Sequence, residues 1–159
     1  MAEDLLDILK RQHDELLSGI SDLLEEEREP EKGERNLEFD RLHRLFLEHT
    51  HGEEEVFYPA LRDHMARMVR GAMDEHDIIV DRMGEMATQW YGGYWDNLLR
   101  QLKGKLEYHV SMEEHAMFET ARKLYSPEQL EEMGRAFLEA EEKTPGVRII
   151  PPEQASASR

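Results

Sequence analysis

Two related segments decide the fold of this chain: HTHGEEEVFY at residues 49–58 and HVSMEEHAMF at residues 109–118. The second repeats the first at an offset of 60. Each contains a histidine followed four residues later by a glutamate: His49 with Glu53, and His109 with Glu113. Residues four positions apart share one face of an α-helix, so each pair projects from one side of its predicted helix.

A second repeat precedes each of these segments. QHDELLSGISDLL at 12–24 aligns with EHDIIVDRMGEMA at 75–87 at an offset of 63, which places His13 on His76. The chain is therefore organised as two helical hairpins, each with a histidine followed by a His-x-x-x-Glu pair. In a bundle, such hairpins face each other about a pseudo-two-fold axis.

The apolar residues recur with a helical period in four stretches: 3 to about 28, about 36 into the 60s, about 66–90 and about 95–124. Pro30 and Gly33 indicate a loop over 29–35, and Gly92-Gly93 a turn. Because the connections are short, we predict an all-α fold, an antiparallel up-down-up-down four-helix bundle. Pro59 is expected to kink the second helix or to end its regular part.

A short additional C-terminal helix is predicted after the bundle. Ser126 is its N-cap, Pro127 its first residue, and Gln129 completes a capping box. Residues 144–159 contain three prolines and small polar residues, which favour an extended or disordered tail. We expect one bundle domain over residues 1–143 and a tail over 144–159.

Composition excludes several classes of function. Among 159 residues there is no cysteine, which excludes disulfides, iron–sulfur clusters and thiolate zinc sites. The chain has 36 acidic and 20 basic residues and a net charge of −16, which argues against binding nucleic acid or anionic membranes. There is no apolar run of membrane-spanning length, and the N-terminus is acidic where a signal peptide is basic, so we expect a cytoplasmic protein.

Four histidines and two glutamates fall on the apolar faces of the four predicted helices: His13, His49, Glu53, His76, His109 and Glu113. Buried imidazoles and carboxylates are costly without partners, and only Lys105 lies near one of these faces. A bound cation resolves that cost. The remaining histidines have mostly polar neighbours and are expected near the surface: His43, His51, His64 and His115.

The donor types restrict the metal. Imidazole and carboxylate without thiolate suit iron, manganese or zinc. Six ligands exceed what one ion usually takes from a protein, so we predict a two-metal site bridged by Glu53 and Glu113. Tyr58 is a further candidate ligand, because Pro59 next to it can redirect its side chain. A packed aromatic residue is the alternative interpretation of Tyr58.

The order of motifs resembles that of the hemerythrin-like (HHE cation-binding) domain family. The similar segments cover about residues 5–125: QHDELL at 12–17, HTHGEEEVFYPAL at 49–61, EHDIIVDRM at 75–83 and HVSMEEHAMF at 109–118. The resemblance implies an antiparallel four-helix bundle around two iron ions in an oxo- or hydroxo-bridged centre. By matched position it implies as ligands the four histidines, Glu53, and an acid at 113 or 114. The helical face favours Glu113, since Glu114 lies about 140° from His109.

One departure from the family's oxygen carriers bears on function. They place a histidine four residues before the third-helix histidine, where this chain has Ala72. Fewer imidazoles leave more open coordination positions, which favours redox reactivity toward O₂, peroxide or NO over oxygen carriage. The activity we predict is oxidant scavenging that includes catalase-like peroxide decomposition. The alternatives are reversible O₂ binding, storage or sensing, and a metal-free interaction bundle.

Overall fold

The computed structural model describes residues 2–25, 37–89 and 93–146, and these residues form five helices. Helix α1 spans Leu5–Glu25 and α3 spans Ala66–Ala87. Helix α2 consists of Leu37–Gly52, a π-helical turn at Glu53–Phe57, and Tyr58–Leu61. Helix α4 likewise consists of Gly93–Met112, a π-helical turn at Glu113–Met117, and Phe118–Leu124. Helix α5 spans Pro127–Glu142.

Helices α1 to α4 form the predicted antiparallel bundle. Helix α1 packs beside α2 and α4, and α3 packs against the same two helices from the other side. The all-α prediction is therefore confirmed. The predicted loop over 29–35 and most of the predicted tail lie outside the described residues, as does Gly92 of the predicted turn. The division at residue 143 stays a prediction.

Helix α5 begins at the predicted capping box. The backbone N–H of Gln129 donates to Oγ of Ser126 at 3.1 Å, and the N–H of Ser126 donates to Oε1 of Gln129 at 2.8 Å. With 16 residues, α5 is shorter than α1 with 21 residues and α3 with 22, and it is the predicted additional C-terminal helix. It packs on α1 and α2, where the buried ring of Phe137 lies directly over Gly52.

The π-helical turns are matched features of α2 and α4. The N–H of Tyr58 donates to the carbonyl of Glu53, and that of Phe118 to the carbonyl of Glu113, so each bond closes over five residues. Helix α2 continues past Pro59 to Leu61, and its irregular turn precedes the proline. Because the same turn occurs in α4, which has no proline there, Pro59 is not the shared cause.

A layer of polar residues divides the interior into two apolar clusters. One cluster contains Leu16, Phe46, Ile79 and Leu106; the other contains Leu9, Phe57, Val69 and Met117. On every bundle helix, the inward histidine lies in sequence between these two sets. The fold therefore places the polar layer about halfway along the bundle, enclosed by hydrophobic side chains at both ends.

Candidate metal centre

The structure brings all six candidate ligands together in the polar layer. Each is at most 1% exposed: His13, His49, Glu53, His76, His109 and Glu113. Their donor atoms form two groups, each with every atom within 4.8 Å of the others. One group contains His13, His49, Glu53 and Glu113, and the other contains Glu53, His76 and His109. Glu53 therefore belongs to both.

The four imidazoles present Nε2 to the interior of the cluster. Nε2 of His13 and Nε2 of His109 lie 3.3 Å and 3.0 Å from the same carboxylate oxygen, Oε1 of Glu113. Nε2 of His49 contacts Oε1 of Glu53, and Nε2 of His76 lies 4.0 Å from that atom. Each glutamate thus lies between histidines of different helices, as a bridging carboxylate does.

Several of these inward atoms lack a hydrogen-bond partner among the described residues. They are Nε2 of His13, both carboxylate oxygens of Glu53, and Oε1 of Glu113. An unpaired polar group of this kind costs about 1–3 kcal/mol when buried, and more when it is charged. All four are metal-donor atoms of the residues that lie together in the cluster. The residues therefore fit a cation, because coordination would satisfy the atoms that the protein leaves unpaired.

The outward nitrogens of the histidines have partners that sequence reasoning missed. Nδ1 lies 2.7 Å from Glu114 in His13, 3.3 Å from Glu54 in His76 and 2.9 Å from Glu75 in His109. Nδ1 of His49 lies 2.7 Å from Oε1 of Gln12. Such partners fix the orientation and tautomer of metal-binding histidines. The sequence could have indicated these partners, because each of the four residues is next to a candidate ligand in the sequence.

Glu113 and Glu114 have different positions. Glu113 is fully buried in the cluster, whereas the Glu114 side chain is 20% exposed and faces the outer nitrogen of His13. This geometry agrees with the helical-face argument for Glu113.

Tyr58 is buried in the cluster, and its hydroxyl lies among the candidate ligands. The hydroxyl donates to Oε2 of Glu113 at 2.9 Å and lies 2.9 Å from Nε2 of His76. In a regular helix, Tyr58 would lie about 140° from Glu53, but the π-helical turn brings residues five apart into line. The matched residue in α4 is Phe118, which stacks on His13 with ring centroids 6.2 Å apart. The cluster therefore has a phenol on one side only.

The two buried glutamates have opposite pKa shifts. Burial, reinforced by the negative charge of Glu113, raises the pKa of Glu53 well above its usual range. Burial also opposes ionisation of Glu113, but the charge of His109 and close contacts with Glu53, His109 and His13 outweigh it, holding the pKa of Glu113 well below its usual range. Burial likewise opposes the charge on His109, but Glu113 and Glu75 raise the pKa of His109 to about 10.

Burial and neighbouring charges also shift the pKa values of the other groups in the cluster. Burial and the nearby His13 lower the pKa of His49, and burial lowers the pKa of His76. Burial opposes protonation of His13, but the nearby carboxylates of Glu113 and Glu114 raise its pKa. Burial and the charge of Glu113 raise the pKa of Tyr58, so its hydroxyl keeps its proton at neutral pH. Without metal, the charges of Glu113 and His109 therefore favour each other, whereas burial opposes ionisation of Glu53.

A methionine-rich groove lies between α3 and α4. Its volume is about 590 Å³, and its lining includes Met65, Met68, Ala72, Glu75 and Met112. Ala72 is fully buried and lies one turn before His76, while Glu75 contacts the outer nitrogen of His109. Through Ala72 and Glu75, the lining of the groove therefore includes residues that adjoin His76 and contact His109.

The remaining histidines lie outside the cluster. His64 and His115 are exposed, and His43 and His51 are partly buried. Nδ1 of His115 bonds to the carbonyl of Ser111 on its own helix. Burial thus separates the two His-x-x-x-Glu pairs of the cluster from the similarly spaced pairs that begin at His51 and His115.

Comparison with known proteins agrees with this arrangement. The sequence profile of the Hemerythrin HHE cation binding domain matches residues 4–121, which is most of the chain. The chain therefore belongs to the hemerythrin HHE cation-binding family. No curated protein sequence matches it significantly.

A solved structure with a similar fold is that of a hemerythrin HHE cation binding domain-containing protein from Mycobacterium kansasii. The TM-score is 0.73 and the identity 22%, with 89% of this chain and 87% of the other chain covered. The likeness covers most of both chains and agrees with the bundle fold of the described residues. Within the described residues, no helix has both the length and the hydropathy needed to cross a bilayer.

Proposed function

We propose that the six residues of the polar layer bind two iron ions, and that the protein is a non-haem di-iron protein reacting with O₂, peroxide or NO. One observation carries this proposal. Two overlapping groups of buried donors share Glu53, and several of their donor atoms have no hydrogen-bond partner among the described residues. A pair of cations explains both the overlap and the missing partners.

The proposed ligand set divides between the two ions. His13 and His49 belong to one donor group, and His76 and His109 to the other. Glu53 is common to both groups, and Oε1 of Glu113 lies near one histidine from each. We propose that both carboxylates bridge. Family membership and a donor set without thiolate support iron, and bound iron would supply the electrons that reduce O₂ or peroxide.

The chain's own residues favour turnover over reversible storage. In catalase-like turnover, one peroxide is oxidised to O₂ and gives up the two electrons and two protons that reduce a second peroxide to two waters. The Tyr58 hydroxyl is a protonated donor inside the cluster and would relay one of these protons. Glu113 accepts the hydrogen bond of that hydroxyl and holds it beside His76. The apolar clusters on both sides of the layer exclude bulk water, which limits loss of reactive products.

The groove between α3 and α4 supports access by a small ligand. Ala72 lies one helical turn before His76, and a longer side chain there would occupy part of the groove. Flexible methionines also line the groove. A molecule the size of O₂ or peroxide needs only small rearrangements of such side chains to approach the cluster from this face.

The proposal is tested by loading the protein anaerobically with Fe(II), exposing it to O₂ and recording the optical spectrum before and after adding hydrogen peroxide. We expect absorption typical of an oxo-bridged ferric pair, followed by consumption of peroxide. Release of oxygen from peroxide identifies a catalase-like reaction. A stable spectrum that reverses when O₂ is removed would instead identify a carrier. An iron-loaded protein with neither behaviour would contradict the proposal.

A further inference from the structure

His49 differs from the other inward histidines in the partner of its outer nitrogen. The other three face carboxylates directly: those of Glu114, Glu54 and Glu75. His49 instead faces Oε1 of the amide of Gln12, at 2.7 Å. An amide can present either its oxygen or its NH₂ group, so on its own it does not determine which nitrogen of His49 carries the proton.

The orientation of this amide is set from α5. Nε2 of Gln12 lies 2.9 Å from both carboxylate oxygens of Glu141, and Gln12 is only 5% exposed. Above its pKa of about 7, the ionised carboxylate of Glu141 only accepts hydrogen bonds, so Gln12 must turn its NH₂ group toward it. Its oxygen then faces His49.

The state of His49 follows from that orientation. Because the amide oxygen only accepts, Nδ1 of His49 carries the proton and donates it to Gln12. Nε2 is left with a lone pair facing Glu53, which is the state required of a metal ligand. Helix α5 also packs against the ring, since Phe137 lies edge-on to His49 at a centroid distance of 6.3 Å.

We propose that Glu141 is a positioning residue that acts through Gln12 to fix the tautomer in which His49 offers Nε2 to a metal ion. Helix α5 thereby supplies the fourth carboxylate behind the four histidines, although it contributes no ligand. This inference rests on the proposed metal site for its purpose, but the hydrogen-bond chain itself does not depend on metal.

The sharpest test reverses the direction of the hydrogen bonds that link residue 141 through Gln12 to His49. In Glu141→Lys the ammonium group only donates, so Gln12 should turn its oxygen to residue 141 and its NH₂ group to His49. Nδ1 of His49 must then accept, and the proton moves to Nε2. Glu139→Lys makes the same charge change at an exposed position of the same helix and is the matched control.

Two measurements read the result at pH 8, above the pKa of about 7 that burial gives Glu141. In the metal-free chain, ¹⁵N spectra of labelled histidine report the tautomer of His49. Competition between the protein and a chelator for Zn²⁺ reports metal affinity. We expect Glu141→Lys to move the proton to Nε2 and to weaken one of two Zn²⁺ sites by about tenfold or more, with Glu139→Lys behaving as wild type.

An unchanged tautomer and unchanged affinity in Glu141→Lys would overturn the inference. If that variant does not fold, Glu141→Leu removes the acceptor, and a mixture of His49 tautomers is expected; a single Nδ1–H tautomer would overturn the inference. A wild-type chain that binds no metal would contradict the proposed function, whereas the tautomer would still decide the role of Glu141.

Discussion

At the scale of single residues, the two halves of the molecule differ by one oxygen atom at a matched position. Tyr58 and Phe118 follow equivalent π-helical turns, and each ring lies against a histidine of the cluster. Only Tyr58 carries a hydroxyl, which donates to Glu113. Its inward position depends on the π-helical turn. The sequence marked Tyr58 as a candidate only through the neighbouring proline, which is not the shared cause of these turns.

Replacing Tyr58 with phenylalanine makes the two halves alike. We expect Tyr58→Phe to keep its bound iron but to consume peroxide about 10²-fold more slowly, because a positioned proton donor is lost. The measurement is the initial rate per bound iron. Tyr125→Phe is the control, since it also removes a hydroxyl that donates a hydrogen bond, here to the carbonyl of Ala60, outside the cluster. Equal rates in wild type and Tyr58→Phe would contradict this role.

Glu141 predicts a pH dependence of stability. Burial, opposed by the Gln12 hydrogen bond and assisted by the charge of Glu48, raises the pKa of Glu141 from 4.5 to about 7. Arg11 lowers that pKa and Glu15 raises it by smaller amounts. Between these pH values the folded chain keeps the proton that the unfolded chain releases, so the contribution of Glu141 to stability falls as pH rises.

Glu141→Gln removes this dependence. The melting temperature of the variant minus that of wild type should therefore increase from pH 4.5 to 7 in chelator-treated protein, and then level off. Glu139→Gln is the control for loss of an exposed carboxylate on the same helix. A difference that stays constant across this range for Glu141→Gln would refute the shifted pKa.

At the scale of elements, the helices were predictable and their irregularities were not. Apolar periodicity places the bundle helices, and the capping box at Ser126 gives the start of α5. The π-helical turns at Glu53 and Glu113 have no such signal, because the same residues would also fit a regular helix. The repeat of the two segments could have suggested that any irregularity would occur twice.

Two glycine substitutions are expected to change stability in opposite directions, and the first of them tests the packing of α5 over α2. In Gly52→Ala the new Cβ would lie 2.5 Å from Cε2 of Phe137, so the ring must shift, and we expect a loss of about 1–3 kcal/mol in unfolding free energy. In Gly84→Ala the Cβ meets nothing within 4 Å, and better helix propensity should add about 1 kcal/mol. Urea unfolding measures both. Stabilisation by Gly52→Ala would contradict the described packing of Phe137.

At the scale of the whole molecule, the parts of the candidate site that depend on short-range sequence patterns were predictable. The six inward residues follow from helical faces, and their partners Gln12, Glu54, Glu75 and Glu114 adjoin them in the chain. Glu141 has no such signal, because its hydrogen bond to Gln12 joins residues 129 positions apart. Only the packing of α5 across the first hairpin creates that contact.

Metal removal should destabilise the whole bundle, because the buried glutamates would lose a counter-charge and the buried histidines would lose a partner for their lone pairs. An ion at 100 times its dissociation constant stabilises the folded state by about 2.7 kcal/mol. We therefore expect iron-loaded protein to melt at a clearly higher temperature than chelated protein in differential scanning calorimetry. Equal melting temperatures would indicate that the polar layer is satisfied without metal.

The number of iron atoms per chain tests the central claim most directly. The protein is reconstituted anaerobically with Fe(II), desalted and quantified by elemental analysis beside two variants. We predict two iron atoms in wild type and in Glu55→Gln, which changes an exposed carboxylate of the same segment, and fewer in Glu53→Gln. A wild-type chain that retains no iron, or a Glu53→Gln variant that retains two, would contradict the account.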